Sequence, residues 1–433
     1  MTVTSRPAHD TRPAGLPDVN AETYPYERVQ QLLDETVSLS LAAVPDETYR
    51  REATLTPGHE EDWFGINGGY GLDFESTLHR FDAVPRLDPC DGRLAVSQTA
   101  GETVGRLHCR CMFAPSGAPW QPGAYPAATM YDPWRSQKLV TTACEFTFGD
   151  QRFDAYAVGR TYPMVADGEP MVLVGAVGNF MSGTGQFNGL EGTFVITGRF
   201  TGSLGFLGNI TCRIVDPEGR IRTDRETPGL AGAHDPFPAQ TFIVMRGVKR
   251  DRTVRTTYGP PPGPNLVSLV TPSQMRTIVT DPRVREHGGL RVNTAVGPVI
   301  ASMEADVAFD IAAPPGTAQR PIPFTTKELY TFAGDDARSC GTISAQVTDG
   351  VSFGLRFAAA PRQAGVRFAG FGPITGGTGQ FEGAQGVLTV NSVIGIAPHA
   401  LSLLHVLHLI DRRRAHVSPS GNRPRRAVDE DVR

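Results

Sequence analysis

The chain has 433 residues, enough for two or three domains that each bury a core of their own. Its hydrophobic content is 40%, its formal charge is −4 and its sequence pI is about 6.2. This charge balance gives no electrostatic reason to expect nucleic acid as a partner. No window has the apolar length of a membrane span, so the sequence predicts no membrane partner either.

Residues 1–20 are rich in Pro, Thr and Ala and lack the apolar core of a signal peptide, so we predict a disordered lead and a cytoplasmic protein. Residues 24–34 predict a short helix, and together these segments form an N-terminal unit over 1–35. The six cysteines include no CxxC pair and are predicted to be reduced thiols: Cys90, Cys109, Cys111, Cys144, Cys212 and Cys340. Strand alternation puts His108 on the face opposite to its two cysteine neighbours, and no metal or other cofactor is predicted.

A first all-β unit is predicted over residues 36–255. Its predicted strands are 37–44, 94–98, 103–113, 139–148, 152–161, 171–177, 193–200, 208–215 and 241–248. Two segments combine aromatic residues with Gly and Pro, namely 62–74 and 114–134. The first is either a loop packed over a barrel end or a lid over a pocket. The second is a long insertion without a counterpart in the second copy, either functional or disordered, and its aromatic residues argue against disorder. Alternatively, these aromatic loops form the contact between the two barrels. We predict that their aromatic residues bind substrate: Trp63, Trp120, Tyr125, Tyr131 and Trp134.

Residues 256–264 are rich in proline and predict a semi-rigid linker to a second all-β unit over 265–411. The predicted strands of this unit are 292–296, 301–311, 324–332, 341–347, 352–358, 366–371, 387–393 and 400–410. The last of them is apolar on both faces, which predicts a barrel wall that also packs against a partner. The charged residues 412–433 are predicted to be a disordered tail.

One glycine-rich motif occurs in both units. The stretch Gly183-Thr184-Gly185-Gln186-Phe187 returns as Gly377-Thr378-Gly379-Gln380-Phe381, at an offset of 194 (377 − 183). A period of this length indicates two copies of one fold rather than a solenoid. Glycines supply positive φ at a tight turn, so each copy predicts a hairpin whose phenylalanine plugs a barrel end. A phosphate-binding loop is not predicted, because neither copy leads into a helix.

This pattern resembles the hairpin of the allene oxide cyclase and dirigent superfamily of eight-stranded β-barrels. The resemblance covers about twenty residues in each copy. It implies an all-β protein of two tandem eight-stranded antiparallel barrels of this calycin-like type, and it implies a cyclase of secondary metabolism. The catalytic residues of allene oxide cyclases cannot be placed on this chain one by one, so none is carried over.

Candidate catalytic residues are polar side chains within apolar strands. We predict Glu145, Tyr156 and Arg160, where Tyr156 and Arg160 share a strand face and Glu145 lies across the turn at 149–150. They either line the barrel and polarise a carbonyl, or they face outwards as a cross-strand ion pair. Glu304, Asp306 and Arg356 are alternatives for the second barrel. His405 and His408 point to opposite faces of the last strand and are interpreted as core or surface residues.

The sequence favours an enzyme: a cofactor-independent cyclase or isomerase that folds a flexible apolar substrate, such as a polyketide or oxylipin. A barrel can hold such a substrate in a reactive conformation, and a pericyclic, Diels–Alder type ring closure needs no cofactor. Two alternatives remain open. One is a binding module that orients an apolar small molecule as dirigent proteins do, and the other is a structural pair of filled barrels. A homo-oligomer is compatible with the sequence. Because the tryptophans all lie in the first copy, we predict the active pocket in the first barrel.

Overall fold

The computed structural model describes residues 36–45, 70–88, 93–115, 138–166, 169–200, 206–216, 219–221, 240–249, 255–258, 267–285, 288–309, 322–333, 339–354, 365–395 and 401–410. The predicted lead, the helix 24–34 and the tail 412–433 lie outside these residues. So do Trp63, Trp120, Tyr125, Tyr131, Trp134 and Arg356. The described chain is all-β, as predicted, and its strands form two sheets.

The first sheet is a closed antiparallel barrel, which we call barrel one. Its eight strands are β1 Thr36–Pro45, β2 Tyr70–Leu87, β3 Leu94–Pro115, β4 Lys138–Phe148, β5 Gln151–Ala166, β6 Glu169–Gly183, β7 Glu191–Phe200 and β8 Phe206–Val215. Each strand pairs with the next along the chain, and β8 pairs with β1 from Thr36↔Val215 to Ala43↔Gly208. This last pairing closes the barrel and leaves no open edge.

The second sheet, barrel two, repeats this topology. Its strands are β9 Gln240–Lys249, β10 Arg255–Tyr258, β11 Val267–Val284, β12 Leu290–Phe309, β13 Ile322–Ala333, β14 Ser339–Gly354, β15 Gly365–Gly379, β16 Gly386–Gly395 and β17 Leu401–Ile410. The strand β9 pairs with both β17 and β11, which closes a ring of eight strands. The short β10 adds to β11 outside that ring. The prediction of two tandem eight-stranded barrels is confirmed.

The predicted boundary between the barrels requires a correction. The sequence places the strand 241–248 in the first unit, but among the described strands β9 pairs with β11 and β17 of barrel two. The physical reason is that β1 already occupies the free edge of β8, so barrel one has no edge left for a ninth strand. Barrel one therefore ends at Val215, and β10 falls within the predicted first unit and linker although it belongs to the second sheet.

The two glycine-rich turns have matching backbones, as predicted. Gly185 and Gly379 have φ values of 56° and 61°, in the region that favours glycine. Each phenylalanine N–H donates to the threonine carbonyl three residues earlier, Phe187 to Thr184 at 3.0 Å and Phe381 to Thr378 at 3.1 Å. Both rings are buried inside their barrels. In barrel one the turn forms a single turn of 3-10 helix, Gly185–Phe187.

Each barrel extends one long hairpin beyond its wall, which the sequence did not predict. We call residues 81–100 arm one and residues 278–296 arm two. In β2 and in β11 an irregular register marks the base of the arm, near Phe81 and Ile278 respectively. Up to this base the strand pairs on both sides, whereas beyond it β2 pairs only with β3 and β11 only with β12. Bulges of this kind bend a strand away from its sheet.

The arms are exchanged between the barrels. Leu290 and Val292 of arm two are buried in the core of barrel one, and Leu94 of arm one is buried in the core of barrel two. The glutamine of each signature turn holds the incoming arm: Gln186 Nε2 donates to the Leu290 carbonyl at 2.9 Å, and Gln380 Nε2 donates to the Leu94 carbonyl at 2.6 Å. Each barrel is thus completed by apolar residues of the other.

A largely buried seam joins the two barrel walls. Two apolar clusters form it, one around Phe81, Phe242 and Leu404 and the other around Leu173 and Phe371. The strand β17 alternates between the lumen of barrel two and this seam, which confirms the prediction that a strand apolar on both faces packs against a partner. Among the described residues, no helix has the length and hydropathy of a membrane span.

Candidate active site

The predicted catalytic residues of barrel one lie on its outer face. Their strand neighbours Cys144, Phe153 and Ala155 point into the core, and alternation turns Glu145, Tyr156 and Arg160 outwards. Glu145 is opposite Asp154 in the β4–β5 pairing and Arg160 is opposite Leu139. Six residues of strand separate these two positions, roughly 20 Å, so the two residues are not a pair.

Each of the two charged residues has a different partner. Arg152 Nη1 donates to Glu145 Oε2 at 3.1 Å, on the exposed surface. Arg160 Nε donates to both carboxylate oxygens of Asp349 in barrel two at 2.8 Å. Arg160 is therefore a contact between the barrels. The barrel-lining arrangement that motivated these three residues is not the arrangement observed, while a catalytic role for them stays a prediction.

The predicted aromatic segments leave barrel one at a single end. The strand β1 ends at Pro45 and β2 begins at Tyr70, while β3 ends at Pro115 and β4 begins at Lys138. Because neighbouring strands are antiparallel, both connections start from the end opposite to Phe187. The substrate-binding role of their tryptophans and tyrosines falls outside the described residues and stays a prediction.

The described lumen of barrel one is packed with aromatic and sulfur-containing side chains. Phe146 contacts Phe194 edge to face, with ring centroids 5.2 Å apart, and Phe153 stacks on Phe180 at 4.3 Å. Cys109 and Cys144 are directly opposite in the β3–β4 pairing, with their Sγ atoms 3.5 Å apart. Burial raises the pKa of the Cys111 thiol beyond the physiological range. The Cys111 thiol is therefore a poor nucleophile.

Barrel two instead contains a buried polar cluster, which we call the lumen cluster: Thr326, Glu328, Tyr330, Ser392 and His405. The Tyr330 hydroxyl donates to Glu328 Oε2 and lies 2.7 Å from His405 Nδ1. Glu328 Oε2 is 3.3 Å from the same nitrogen, and Thr326 donates to Glu328 Oε1 at 2.9 Å. On the other side of the imidazole, Ser392 Oγ lies 3.5 Å from Nε2.

The cluster holds a buried carboxylate in its ionised form. Burial alone raises the pKa of Glu328, but His405, Tyr330 and Thr326 outweigh it and place this pKa below its usual value. Burial and the Glu328 charge raise the pKa of Tyr330 well above its usual value. Glu328 is therefore an anion and Tyr330 a neutral donor. A carboxylate and a phenol on the Nδ1 side fix the orientation of the ring and leave Nε2 as the nitrogen that can exchange a proton.

The two barrels can be aligned residue by residue at these positions. Arg152 N–H donates to the Thr184 hydroxyl in barrel one, and Thr342 N–H donates to the Thr378 hydroxyl in barrel two. Arg152 therefore matches Thr342, and the strand pairings then match the residues opposite them. Thr142, Cys144 and Phe146 of barrel one correspond in this order to Thr326, Glu328 and Tyr330 of barrel two. Counting from Gly192 and Gly386 in the same way pairs Ser392 with Gly198 and His405 with Ile210.

Aromatic contacts bound the lumen cluster on two sides. Towards the signature turn, Phe332 packs on Phe381 with centroids 4.8 Å apart. Towards the other end, Phe324 and Phe368 meet edge to face at 5.3 Å. At that second end the connections 310–321, 355–364 and 396–400 leave the barrel, because β12, β14 and β16 all end there. Phe324 and Phe368 therefore separate the cluster from the end with the long connections.

The other candidate residues lie away from this cluster. Glu304 and Asp306 are exposed beside a surface depression of about 490 Å³. His408 faces the seam, opposite in direction to His405 as predicted, and contacts Thr197 Oγ1 at 3.0 Å. A cavity of about 500 Å³ lies between arm one and the Phe381 turn. In the described chain, no group of three or more His, Cys, Asp or Glu side chains is arranged to hold a metal ion.

Sequence reasoning missed Glu328, Tyr330 and Ser392. One signal was present: Thr326, Glu328 and Tyr330 alternate along the same face as Phe324 and Phe332, so three polar residues share a face with two buried aromatics. The outward-facing residues Thr325, Lys327 and Leu329 are of mixed character, and this pattern obscured which face was buried.

Neither a protein-family model, nor a curated protein, nor a solved structure matches this chain.

Proposed function

We propose that the protein is a cofactor-independent isomerase or cyclase whose acid–base site is the lumen cluster of barrel two. One observation carries the proposal: Glu328, Tyr330 and His405 form a hydrogen-bonded relay inside an apolar barrel, where the matched positions of barrel one hold Cys144, Phe146 and Ile210. A buried ionised carboxylate costs several kcal/mol unless it is paired. Packing alone does not call for one, because barrel one fills the same space with apolar side chains.

In the proposed reaction, His405 Nε2 takes a proton from a carbon next to a substrate carbonyl, and the bond electrons move to the carbonyl oxygen as an enolate. The Ser392 hydroxyl, 3.5 Å from Nε2, donates a hydrogen bond to that oxygen. The imidazolium that forms is stabilised by Glu328 on its Nδ1 side. If the enolate is conjugated with a neighbouring double bond, return of the proton from His405 to the far carbon completes an isomerisation. Alternatively, the enolate carbon attacks a second carbonyl of the same molecule, the electrons of that C=O bond form an alkoxide, and the alkoxide takes the proton from His405 as the ring closes.

The surroundings favour an apolar substrate. Leu403, Leu407 and Val390 face the lumen next to the cluster, and Phe324 and Phe368 lie between the cluster and the barrel end. An apolar enclosure strengthens the hydrogen bonds of the relay and holds a flexible chain in a compact conformation. The resemblance of the signature hairpin to allene oxide cyclases agrees with this reaction class. The five described cysteines are free thiols, which supports the cytoplasm as the proposed location.

Proton exchange tests the proposal without knowledge of the natural substrate. The full-length protein is incubated in D₂O with linear and cyclic β-diketones of increasing alkyl length, and the loss of the α-proton signal is followed by NMR. We expect catalysed exchange that falls by at least about 100-fold in His405→Gln. His408→Gln is the matched control, since it removes a buried histidine of the same strand that faces the seam. Equal rates in both variants, or no exchange in the wild type, would contradict the proposal. Saturable ligand binding without exchange would instead identify a binding module.

A second candidate activity is acyl transfer. Ser392 Oγ, His405 Nε2 and Nδ1, and Glu328 Oε2 follow one another at 3.5 Å and 3.3 Å, the order of a nucleophile, a base and its orienting carboxylate. A fluorophosphonate probe discriminates the two reactions. Covalent labelling of the wild type that is lost in Ser392→Ala would favour acyl transfer over proton exchange.

A further inference from the structure

Arg213 is a buried arginine for which the described residues supply no carboxylate partner. It lies on β8, where alternate residues face the lumen of barrel one, and its own side chain faces β17 across the seam. The residue is 1% exposed. Its Nη2 donates to Ser402 Oγ at 2.9 Å, whereas Nε and Nη1 meet no acceptor.

Three other buried or half-buried arginines that join the barrels, Arg80, Arg160 and Arg367, lie beside acidic groups. Arg80 Nη1 lies 2.9 Å from Asp281 Oδ1, and Arg160 binds Asp349. Arg367 Nη2 lies 3.7 Å from Glu191 Oε2. Within the part of the chain that the structure describes, no carboxylate pairs with Arg213.

A second arginine, Arg246, lies near Arg213, and a third, Arg276, is the partner of Arg246 in the strand pairing. Burial, and in second place the charge of Arg246, lower the pKa of the Arg213 guanidinium to about 9. Arg246 of β9 is directly opposite Arg276 of β11, so both side chains share a sheet face. Both are half-buried, and Arg276 Nη1 donates to the Gly297 carbonyl at 3.3 Å. Like charges directly opposite each other repel, and an anion between the strands removes that repulsion.

We propose that Arg213, Ser402 and Arg246 form a binding site for a small anionic group, a carboxylate or a phosphate, in the seam between the barrels. The unpaired Nε–H and Nη1–H of Arg213 donate to the oxygens of the anion, and Arg246 and Arg276 draw it in from solvent. Guanidinium groups are the donors that proteins use most often for these two anions. The site does not depend on the proposed activity, because it lies outside the lumen of barrel two.

Thermal unfolding of the full-length protein tests the site. Inorganic phosphate, acetate and chloride are compared at equal ionic strength. We expect phosphate or acetate to raise the melting temperature saturably by roughly 2–4 °C, and chloride to have no such effect. A response to only one of the two assigns the anionic group. An equal rise in melting temperature with all three anions would indicate general screening of charge repulsion by salt and would overturn the proposal. No rise with any anion would overturn it as well.

Two variants test whether Arg213 causes the stabilisation by anions. Arg213→Met keeps an unbranched apolar stem and removes the charged guanidinium, and we expect it to abolish the anion response while leaving the anion-free protein at least as stable as the wild type. The matched control Arg160→Met removes another arginine of the seam, whose carboxylate partner is described, and should keep the response. Isothermal titration calorimetry with phosphate measures binding independently of protein stability. Retention of binding in Arg213→Met would overturn the assignment.

Discussion

The two barrels share strand order, turn geometry and exchanged arms, but they differ at matched positions of the lumen. Barrel one places Cys144, Phe146 and Ile210 where barrel two places Glu328, Tyr330 and His405. The scaffold around them therefore does not require the polar residues. The features that the two barrels share determine the fold, whereas a role other than packing explains the lumen cluster of barrel two.

The largest effect should come from removing the plug of barrel one. Phe187 is fully buried and packs against Phe153 in a tilted arrangement with centroids 4.1 Å apart, while Phe381 is 7% exposed. We expect Phe187→Ala to cost about 4 kcal/mol, and Phe381→Ala to cost less because its site can admit water. Urea unfolding of both variants measures the difference. Equal losses would show that the two plugs are equivalent despite their different burial.

A somewhat smaller loss of stability should follow when His405 is replaced by isoleucine, the residue at the matched position of barrel one. His405→Ile leaves the ionised Glu328 without its imidazole, and we expect a loss of about 3 kcal/mol. The triple variant Glu328→Cys, Tyr330→Phe and His405→Ile reproduces the interior set of barrel one. It should recover most of this loss and remain inactive. A triple variant as unstable as the single variant would mean that the lumen of barrel two needs its polar residues for stability.

The turn glycines should give losses of about 2 kcal/mol or more on substitution by valine, since β-branched residues are strained at positive φ. Gly185 and Gly379 differ in the atoms that an added Cβ would contact. A Cβ on Gly379 would lie 2.5 Å from the Cys340 carbonyl oxygen, whereas on Gly185 it would meet the side chain of Gln151. Backbone cannot move aside as a side chain can, so Gly379→Val should melt lower than Gly185→Val. The reverse order of melting temperatures would contradict this reasoning.

The smallest effect concerns the pH dependence of the seam. Burial and the nearby Arg199 lower the pKa of His408 to about 3, so the folded state resists a proton that the unfolded state accepts. This group costs about 1 kcal/mol of stability as the pH falls from about 6.5 to about 5.5. Burial, opposed by Arg80, raises the pKa of Asp82 to about 6, so this group adds stability over the same fall in pH.

The two contributions nearly cancel in the wild type. We expect Asp82→Asn to reveal a loss of stability between about pH 6.5 and about pH 5.5, and His408→Gln to reveal a gain. Urea unfolding at the two pH values measures both slopes. Parallel slopes in the two variants would show that neither group controls the pH response.

Alternation and the duplicated turn predicted the fold because they are local signals. The arms were missed because β2 and β11 belong to two environments: each strand lines its own barrel up to the irregular register and then lies against the other. Their alternation does not follow a single buried face, and Pro85 and Pro282 further weaken the strand pattern. The placement of β9 depends on which edge is free, which only the closed pairing of β1 with β8 decides.

The candidate site could be predicted only in part. His405 was recognised as facing away from His408, but the sequence could not indicate that Glu328, 77 residues earlier (405 − 328), lies beside it. Glu145 and Arg160 follow the same alternation as Glu328 and nevertheless point outwards. Their inside or outside direction depends on strand register, and a shift of one residue reverses it.

The exchange of arms also affects how the chain is made. A protein is synthesised from its N-terminus, and the first half emerges while Leu290 and Val292 are still untranslated. This end of barrel one therefore stays apolar and uncovered while the 77 residues from Val215 to Val292 (292 − 215) are added, roughly 4 to 15 seconds at about 5–20 residues per second. Barrel one can close once β8 has been made, but its end is covered only after arm two is synthesised, and barrel two closes only after β17. A product truncated before Leu290 would retain the uncovered end.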